Sequence, residues 1–352
     1  KVRGSREEQN RVFTETLAMG GFFSSVFLLA GIFLAEYMAG ILGASDLILS
    51  MTAAYLRTIL CFSPCFLLNN ILLAFLRNDG APRLAMAAML AGSFSNILLD
   101  YLFLFPLRWG MFGAAFATGL SPVIGIAVLS TGLWKGNRGF SVVAGRMSLR
   151  LAVKICGAGL SALVTEFSSA VTLAVFNLLF LRLAGNTGVA AYGIVANLAL
   201  VETALFTGEA QGIQPLVSHV YGLGEKEEER RLLKKGAVLA LFLSMVLYGI
   251  VFFNAEFLTR LFNGEQDPVL AQMAEQGMRL YFTGYFLGGF NILASAFFSA
   301  SGKEKSGFLV SMLRGILALL PSAILFSMVG GTTGLWLSFP ASELFGFVCF
   351  LA

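Results

Sequence analysis

Residues 4–8 (Gly-Ser-Arg-Glu-Glu) open a long apolar run, and residues 224–228 (Gly-Glu-Lys-Glu-Glu) open another about 220 residues later. Asn69 and Asn291 are related by nearly the same spacing. Further matched positions are Arg57 with Arg279, Gly80 with Gly302, Gly110 with Gly331, and Gly113 with Gly334. The repeat indicates one architecture built twice from apolar helices, a pattern that is typical of membrane transporters.

The composition excludes an ordinary soluble protein. Hydrophobic residues make up 57% of the chain, charged residues make up 12%, and the mean hydropathy is +0.81. Soluble chains carry about 25% charged residues, so the polar surface that keeps a protein in water is missing here. We predict an all-α polytopic membrane protein, because the alternation of apolar and polar residues that marks a transmembrane barrel is absent.

Ten apolar stretches follow one another, each near or above the roughly 20 residues that a helix needs to cross a bilayer. They cover residues 14–35, 48–76, 83–105, 111–133, 153–181, 189–217, 236–254, 270–300, 307–328 and 333–352. We therefore predict ten transmembrane helices in two pseudo-symmetric bundles of the six-helix type. The N-terminal bundle, at 1–133, holds four helices, and the C-terminal bundle, at 153–352, holds six. Between them, the basic and glycine-bearing stretch 134–152 predicts a cytoplasmic linker, of which 142–151 can lie flat on the membrane.

The two halves differ in what precedes the repeated stretch. About 70 residues (153–223) stand before the second copy, and no counterpart precedes the first. Such a segment would supply two helices. We therefore expect the chain to be a fragment that lacks the first two helices of its N-terminal bundle.

Basic residues cluster in alternate connections, at 1–11, 77–83, 135–154, 226–235 and 303–305. The opposite connections hold only Arg108, Arg182 and Arg260. Because Lys and Arg concentrate in cytoplasmic loops, we predict a plasma (inner) membrane protein whose chain begins and ends in the cytoplasm. The net charge of +4 then reflects loops that face anionic lipid, and we expect no nucleic-acid partner.

Ionisable side chains inside a membrane span are costly, so each is a functional candidate. Glu166 lies near the middle of its apolar stretch, and Ser169 and Asn177 share its helical face, because eleven residues make about three turns. A carboxylate, a hydroxyl and an amide aligned in this way predict a site that binds a cation such as Na⁺ or accepts a proton. The alternative is a structural hydrogen bond from Glu166 to a neighbouring helix.

Three further carboxylates lie in apolar stretches. Glu202 is deep in its span, and Glu209 follows on the same helical face, nearer the cytoplasmic end, where a solvated role is the alternative. Burial disfavours the ionised form of a carboxyl group, which suits both residues to carry protons. Asp100 is also deep in its span, where it either pairs with an arginine or takes part in the site.

Three arginines also fall inside apolar stretches. Arg57 and Arg279 occupy matching repeat positions, where we expect each to pair with an acid or to extend to the interface. Arg314 stands early in its span, and we expect it to reach the cytoplasmic interface.

Signals of an enzyme are missing from the sequence. His219 is the single histidine, so a two-histidine metal site is excluded, and the motifs of serine hydrolases, zinc proteases and phosphate-binding loops do not occur. We predict no enzyme activity, no resident metal and no cofactor, and an ion gradient or a partner as the source of energy.

Two motifs resemble the MATE (multidrug and toxic compound extrusion) family. Residues 208–224, GEAQGIQPLVSHVYGLG, are similar to its Gln-Gly-x-Gln-Pro…Tyr-Gly-x-Gly signature, and residues 77–82, RNDGAP, look like its Arg-x-Asp-Gly-x-Pro turn. Residues 96–118 resemble the stretch that follows that turn. The motifs occur in the expected order between residues 77 and 224.

The resemblance implies twelve helices in two bundles that open alternately to either side of the membrane and export organic cations in exchange for Na⁺ or H⁺. The helices of this chain would be the third to the twelfth. Glu166 stands where the family often carries a glutamate in its seventh helix, and Glu202 where some members carry an acid in the eighth. Members that bind Na⁺ often add an aspartate in the tenth helix, but residues 279–285 hold no acid, which leaves the coupling ion open.

We therefore expect a monomeric, cation-coupled antiporter whose partners are small organic cations and the lipid bilayer. Two alternatives stay open. A lipid-linked oligosaccharide flippase of the same superfamily would be expected to line its cavity with more arginine and lysine. A non-transporting fragment or scaffold subunit would have no upstream helices in its native gene.

Overall fold

The structure, a computed structural model, describes residues 6–42, 48–134, 139–144, 148–264 and 266–351. These residues form helices joined by turns, and no strand occurs among them. The helices are α1 Arg6–Ile41, α2 Leu49–Cys61, α3 Ser63–Asn78, α4 Pro82–Leu104, α5 Gly110–Trp134, α6 Leu149–Leu223, α7 Lys226–Phe253, α8 Ala255–Phe262, α9 Pro268–Tyr281, α10 Tyr285–Ala300, α11 Glu304–Met312 and α12 Leu319–Leu351. A 3₁₀ turn at Phe282–Gly284 joins α9 to α10, and a π-helical turn at Leu313–Leu317 follows α11.

Large apolar side chains cover the outside of the long helices. Phe253 is 84% exposed, Val329 83% and Met328 80%. A soluble monomer rarely exposes contiguous apolar surface of this kind, whereas lipid tails solvate it without cost. The exposed surface therefore agrees with the predicted multi-pass membrane protein.

Within the described ranges, seven helices are long and apolar enough to cross a membrane, or up to eight if the bent pair α2 and α3 forms one span. The two halves of that pair meet at 45°, where Pro64 stands in the first turn of α3. One of the seven candidates, Ala162–Leu223, has 62 residues, about three times the length that one crossing needs. The prediction of ten spans is therefore not established by helix length and hydropathy.

Glycines with a left-handed backbone mark the same places in both copies of the repeat. Gly110 and Gly331 both have φ = +56°. A second pair of matched repeat positions, Gly80 and Gly302, has φ = +88° and +70°. A residue with a side chain costs roughly 1–2 kcal/mol in this conformation, so glycine is favoured at each. Gly185, inside α6, adopts φ = +61° and interrupts that helix as Gly331 interrupts α12.

The chain divides into two compact units, residues 3–155 and residues 156–352. The core of the first unit is formed by Phe13, Leu72, Leu73, Leu76, Ala85, Ala88, Leu129 and Phe140. The second unit has a larger and more aromatic core that includes Phe176, Phe180, Tyr192, Phe206, Tyr281, Tyr285, Trp336 and Phe339. The predicted boundaries at 133/134 and 152/153 stay predictions, since residues 135–138 and 145–147 of the predicted linker lie outside the described residues.

The described part of the predicted linker is held against the first unit. Phe140 is 8% exposed, and its ring centroid lies 4.6 Å from that of Phe13 and 5.5 Å from that of Phe75. The backbone N–H of Gly139 donates to Asp79 at 3.0 Å, and that of Ser148 donates to Glu15 at 3.1 Å. This segment is therefore fixed to the protein by hydrogen bonds and aromatic packing, and helix α6 begins directly after it.

Candidate functional site

Glu202 lies in the interior of the second unit. Its side chain is on α6 and is 3% exposed, on the side of the helix that also buries Phe206. Neither carboxylate oxygen has a hydrogen-bond partner among the residues that the structure describes. A buried polar atom without a partner is uncommon in native proteins, and it often marks a place where an ion, a water or a ligand binds.

Tyr285 of α10 packs against the turn of α6 that carries Glu202. Its hydroxyl lies 3.0 Å from the hydroxyl of Thr203 and donates to the backbone carbonyl of Ala199 at 3.0 Å. The ring stacks on Phe206, with centroids 6.0 Å apart. These contacts fix α10 on α6 and leave the Glu202 carboxylate as the unsatisfied group of this helix contact.

A second buried acid, Glu343 of α12, has the opposite surroundings. It is 2% exposed, and its Oε1 accepts from Arg314 Nη2 at 2.7 Å, while Arg314 Nε lies 3.2 Å from both carboxylate oxygens. Asn291 of α10 donates from Nδ2 to Oε2 at 2.8 Å and to the backbone carbonyl of Glu343 at 2.9 Å. Glu343 is therefore a fully hydrogen-bonded carboxylate whose charge is neutralised.

Hydroxyl groups extend this cluster along α10 and α11. Asn291, Ser295 and Ser299 are spaced by four residues, which places them on one face of α10. Ser295 Oγ lies 2.8 Å from Ser311 Oγ, and Thr165 Oγ1 of α6 donates to Ser311 at 3.2 Å. The interior of the second unit thus contains a polar band that runs from the ion pair to α6.

Arg314 and Glu343 are where sequence reasoning went wrong. Arg314 was expected to reach the cytoplasmic interface, but its side chain turns into the unit and is only 13% exposed. The reason is its partner, because a guanidinium inside a protein is stabilised by a bidentate carboxylate. Glu343 itself was missed, although the rule that singled out Glu166 and Glu202, an acid within an apolar stretch, applies equally to residues 333–352.

The other two intraspan arginines also find neighbours. Arg57 lies 3.6 Å from Glu36 across α1 and α2, and both side chains are exposed. Arg279 lies over the ring of Phe252, 5.5 Å from its centroid. The matching repeat positions therefore hold one exposed ion pair and one cation–π contact.

The structure does not bring the predicted Glu166 group next to Glu202 by any contact that it describes. Glu166 and Ser169 are exposed on α6, Asn177 is half-buried, and the Ser169 hydroxyl donates to the carbonyl of Thr165 at 3.0 Å. Glu166 follows Thr165 in the chain, but its own side chain is exposed and makes no contact with the polar band that the structure describes. Its predicted role as a cation or proton site stays a prediction.

Two other predicted acids are partly buried and unsatisfied. Glu209 is half-buried on α6, and both of its carboxylate oxygens are out of contact with solvent and lack a hydrogen-bond partner within the described residues. Asp100, on α4 of the first unit, is half-buried, and its Oδ1 is also out of contact with solvent and without a hydrogen-bond partner within the described residues. Both stay predicted site residues, each described within its own unit.

Residues 3–102 and 161–324 match the family model MatE. This chain belongs to the MatE family. The match includes Glu202 of α6, Asn291 of α10 and Arg314, and it ends before Glu343. The resemblance noted from residues 77–82 and 208–224 is therefore confirmed.

Relatives of this MatE family chain are known from bacteria. It is 27% identical over 356 residues to the multidrug export protein MepA of Staphylococcus saprophyticus, covering 100% of this chain and 77% of that protein. It is 25% identical over 338 residues to the MepA protein of Staphylococcus aureus strain MSSA476, covering 95% and 74%.

Solved structures of MatE family relatives share its fold. A multidrug resistance MATE family transporter of the MOP superfamily, in an outward-facing conformation, has a TM-score of 0.91 at 20% identity and covers 98% of this chain and 79% of that one. A MOP superfamily transporter from Pyrococcus furiosus, whose binding pocket is described as having reverse polarity, has a TM-score of 0.90 at 20% identity, with coverage of 98% and 79%. The chain therefore has the fold of MATE transporters.

Proposed function

We propose that this protein exports small organic cations across the plasma membrane in exchange for H⁺ or Na⁺, by alternating access. Family membership and the multidrug export proteins among its relatives support transport of this kind. Those relatives are transporters, which is consistent with the prediction that the chain is not an enzyme. H⁺ or Na⁺ is an exchanged ion in this proposal, and no resident cofactor is required.

The observation that carries the proposal is the unpartnered, 3% exposed carboxylate of Glu202 in a membrane-spanning helix. An ionised carboxylate in hydrocarbon is costly unless it is paired, and intramembrane acids of this kind mark ion pathways and proton relays. The cost disappears when the carboxylate takes up a proton or binds a monovalent cation. Glu202 is therefore suited to hold the exchanged ion while it is closed off from water.

The charges around Glu202 suggest how many ions it exchanges. Arg314 and Glu343 neutralise each other, so an ionised Glu202 adds one uncompensated negative charge to the core of the second unit. One H⁺ or one Na⁺ removes that charge. An ionised Glu202 costs more free energy in a conformation that closes it off from water than in one that opens it to water, so binding of one cation can shift the balance between the two conformations, as coupled transport requires.

The remaining features fit the same proposal. Dividing the long helical stretches at Gly185 and Gly331, where the backbone leaves the helical region, would yield ten spans with both ends of the chain in the cytoplasm. Glu166, with Ser169 and Asn177, would be a second ion or substrate contact on α6, and Glu209 and Asp100 further acids on the ion pathway. We propose that the protein acts as a monomer in the lipid bilayer, without a nucleic-acid partner.

Transport assays test this function directly. The protein is reconstituted into liposomes, and the export of ethidium, an aromatic cation, is followed by its fluorescence under an imposed H⁺ or Na⁺ gradient. We expect Glu202→Gln to abolish gradient-driven export, while Glu36→Gln, which changes an exposed acid of α1, leaves it unchanged. Unchanged export in both Glu166→Gln and Glu202→Gln would remove the proposed ion site.

A further inference from the structure

The ion pair of Arg314 and Glu343 does not take up the ion proposed to exchange at Glu202, yet it is built into the interior of the same unit. The exposed fractions of the two side chains are 13% and 2%. The Arg57–Glu36 pair, by contrast, has exposed fractions of 51% and 73%. A buried ion pair is weak evidence for stability, because the cost of desolvating two charges offsets most of their attraction. Another reason for its presence is therefore needed.

The geometry around Glu343 is that of an occupied cation site. Its oxygens receive the Nη2 of Arg314 at 2.7 Å, the Nε at 3.2 Å and the amide of Asn291 at 2.8 Å. The guanidinium supplies one positive charge, and the amide satisfies a remaining lone pair. A bound monovalent cation would meet the same two needs of a buried carboxylate.

The backbone around Arg314 is shaped to bring its side chain to Glu343. Arg314 lies in the π-helical turn Leu313–Leu317. Such turns are rare in proteins overall, but those that occur are often found at functional sites. Gly346, one turn beyond Glu343 on α12, leaves the required space. A Cβ added at Gly346 would lie 3.1 Å from the Cβ of Arg314 and 3.2 Å from Nδ2 of Asn291.

The first copy of the repeat has the same framework without the charges. The matching residues are Asn69 for Asn291, Gly125 for Gly346, Pro122 for Glu343, and Gly92 or Ser93 for Arg314. Gly125 also lies against its asparagine, since a Cβ there would be 2.6 Å from Oδ1 of Asn69. This architecture therefore forms without an ion pair, so the pair in the second copy is not a requirement of the fold.

We propose that Glu343 is a second cation site, which Arg314 fills permanently as a tethered cation. Within the second unit, Arg314 then withholds Glu343 from ion exchange and leaves that role to the unpaired acids of α6, of which Glu202 is the most buried. The inference deepens the function proposed at Glu202 and rests on it for its role in transport. The occupancy of Glu343 by Arg314 can be tested independently of transport.

The groups that face Glu343 within the described structure support this assignment. Arg314 approaches from the π-helical turn and Asn291 from α10, while Tyr281 and Tyr285 pack against Phe339, one turn before Glu343 on α12. Arg314 is the cation in this set, so its removal leaves an anionic site that another cation can enter.

Infrared difference spectroscopy during a pH titration detects that entry, because a protonated carboxylic acid has a C=O stretching band that a carboxylate lacks. The full chain is reconstituted in liposomes in sodium-free buffer, so that H⁺ is the small cation available. In the wild type we expect a titrating band that Glu202→Gln removes and Glu343→Gln leaves in place. Arg314→Gln should add one titrating band, and a second substitution, Glu343→Gln, should remove it.

Two controls separate this role from a structural one. Arg314→Lys keeps a tethered cation and should show the wild-type spectrum, and Arg57→Gln removes an exposed arginine and should add no band. Loss of a wild-type band in Glu343→Gln would overturn the proposal, because the site would then titrate with Arg314 in place. If Arg314→Gln does not fold, that comparison of wild type with Glu343→Gln still decides.

The failure of this inference differs from the failure of the proposed function. If Glu202→Gln removes no band while Arg314→Gln gains one that depends on Glu343, Glu202 does not carry the proton but the tethered cation stands. If Glu202→Gln removes its band and a folded Arg314→Gln gains none, the function at Glu202 stands and the tethered cation is refuted.

Discussion

Glu202 and Glu343 are almost equally buried, at 3% and 2% exposure, but their surroundings are opposite. Glu202 has no hydrogen-bond partner in the described structure, whereas Glu343 binds Arg314 and Asn291. Substitution by glutamine removes one negative charge at either position and nearly preserves the size of the side chain. We expect Glu343→Gln to destabilise the second unit and Glu202→Gln to leave its stability unchanged or raised.

The magnitude follows from what each substitution leaves behind. Glu343→Gln leaves Arg314 buried without a counter-charge, and breaking a buried ion pair in this way costs about 3–5 kcal/mol. Because Arg314 is 13% exposed and retains some access to solvent, a value near the lower end is expected. At about 2–4 °C per kcal/mol for a domain of this size, the full range corresponds to a decrease in Tm of roughly 6–20 °C. Glu202→Gln removes no hydrogen bond and no ion pair, so no comparable cost arises.

Thermal unfolding in detergent, followed by tryptophan fluorescence, measures the difference, and the fully buried Trp336 reports on the second unit. The double variant Arg314→Gln/Glu343→Gln provides the control, because it removes both charges and should recover most of the stability lost in Glu343→Gln. Equal unfolding temperatures for the two single glutamine variants would refute the reasoning. A larger loss in Glu202→Gln than in Glu343→Gln would refute it as well.

Three further predictions concern the framework around the site. Gly331→Ala should lower the free energy of unfolding by about 1–2 kcal/mol, because of its φ of +56° alone. Gly334→Ala should lower it further, because the added Cβ would lie 2.0 Å from the Phe326 carbonyl oxygen. Comparing the unfolding temperatures of the two variants tests this order. Phe140→Ala should destabilise the first unit by about 3–5 kcal/mol and speed proteolysis of residues 139–144, because it removes a buried ring. Tyr285→Phe removes the hydroxyl contacts to α6 and should lower stability by about 1 kcal/mol in the same unfolding assay.

Each of these has an outcome that contradicts it. Gly334→Ala unfolding at a higher temperature than Gly331→Ala would show that the close backbone approach does not limit stability. An unchanged rate of cleavage in Phe140→Ala would mean that the hydrogen bonds alone hold the segment. Unchanged stability in Tyr285→Phe would mean that its hydroxyl contributes no net hydrogen-bond energy.

The membrane class, the helical fold and the turns could be predicted from sequence because each has a local cause. A low charge content and long apolar runs are sufficient to identify membrane-spanning helices. The matched glycines at 110 and 331 predicted a repeated structure, and both adopt the same left-handed backbone. The number of spans was harder to predict, because α6 continues through Gly185 and hydropathy alone does not divide it.

The surroundings of the buried acids could not be predicted in the same way. The burial of Glu202 agrees with its depth in an apolar stretch, but its lack of a partner depends on what α10 places opposite it. Arg314 was assigned to the interface because it stands early in the predicted span 307–328, near its cytoplasmic end. Its actual direction is set by Glu343, 29 residues away in the chain, and no local pattern encodes that pairing.

The repeat offers a way to separate residues that serve the fold from residues that serve transport. A feature present in both copies, such as Asn69 with Gly125 and Asn291 with Gly346, satisfies a need of the shared architecture. A costly feature in one copy only has to be explained by something that the two copies do not share. Glu343 meets that description, and so does Asp100 of the first unit, since neither matching position in the second copy, Pro321 or Ser322, is acidic.

Asp100 therefore extends the reasoning to the first unit. Its Oδ1 is buried without a hydrogen-bond partner in the described structure, as are both oxygens of Glu202. If the exchange involves one ion in each unit, Asp100→Asn should lower the number of ions moved per ethidium. If the second unit alone exchanges an ion, Asp100→Asn should leave that ratio unchanged. Measuring the ratio in liposomes with opposing gradients of ethidium and H⁺ distinguishes the two arrangements, because it depends on stoichiometry and not on the rate of transport.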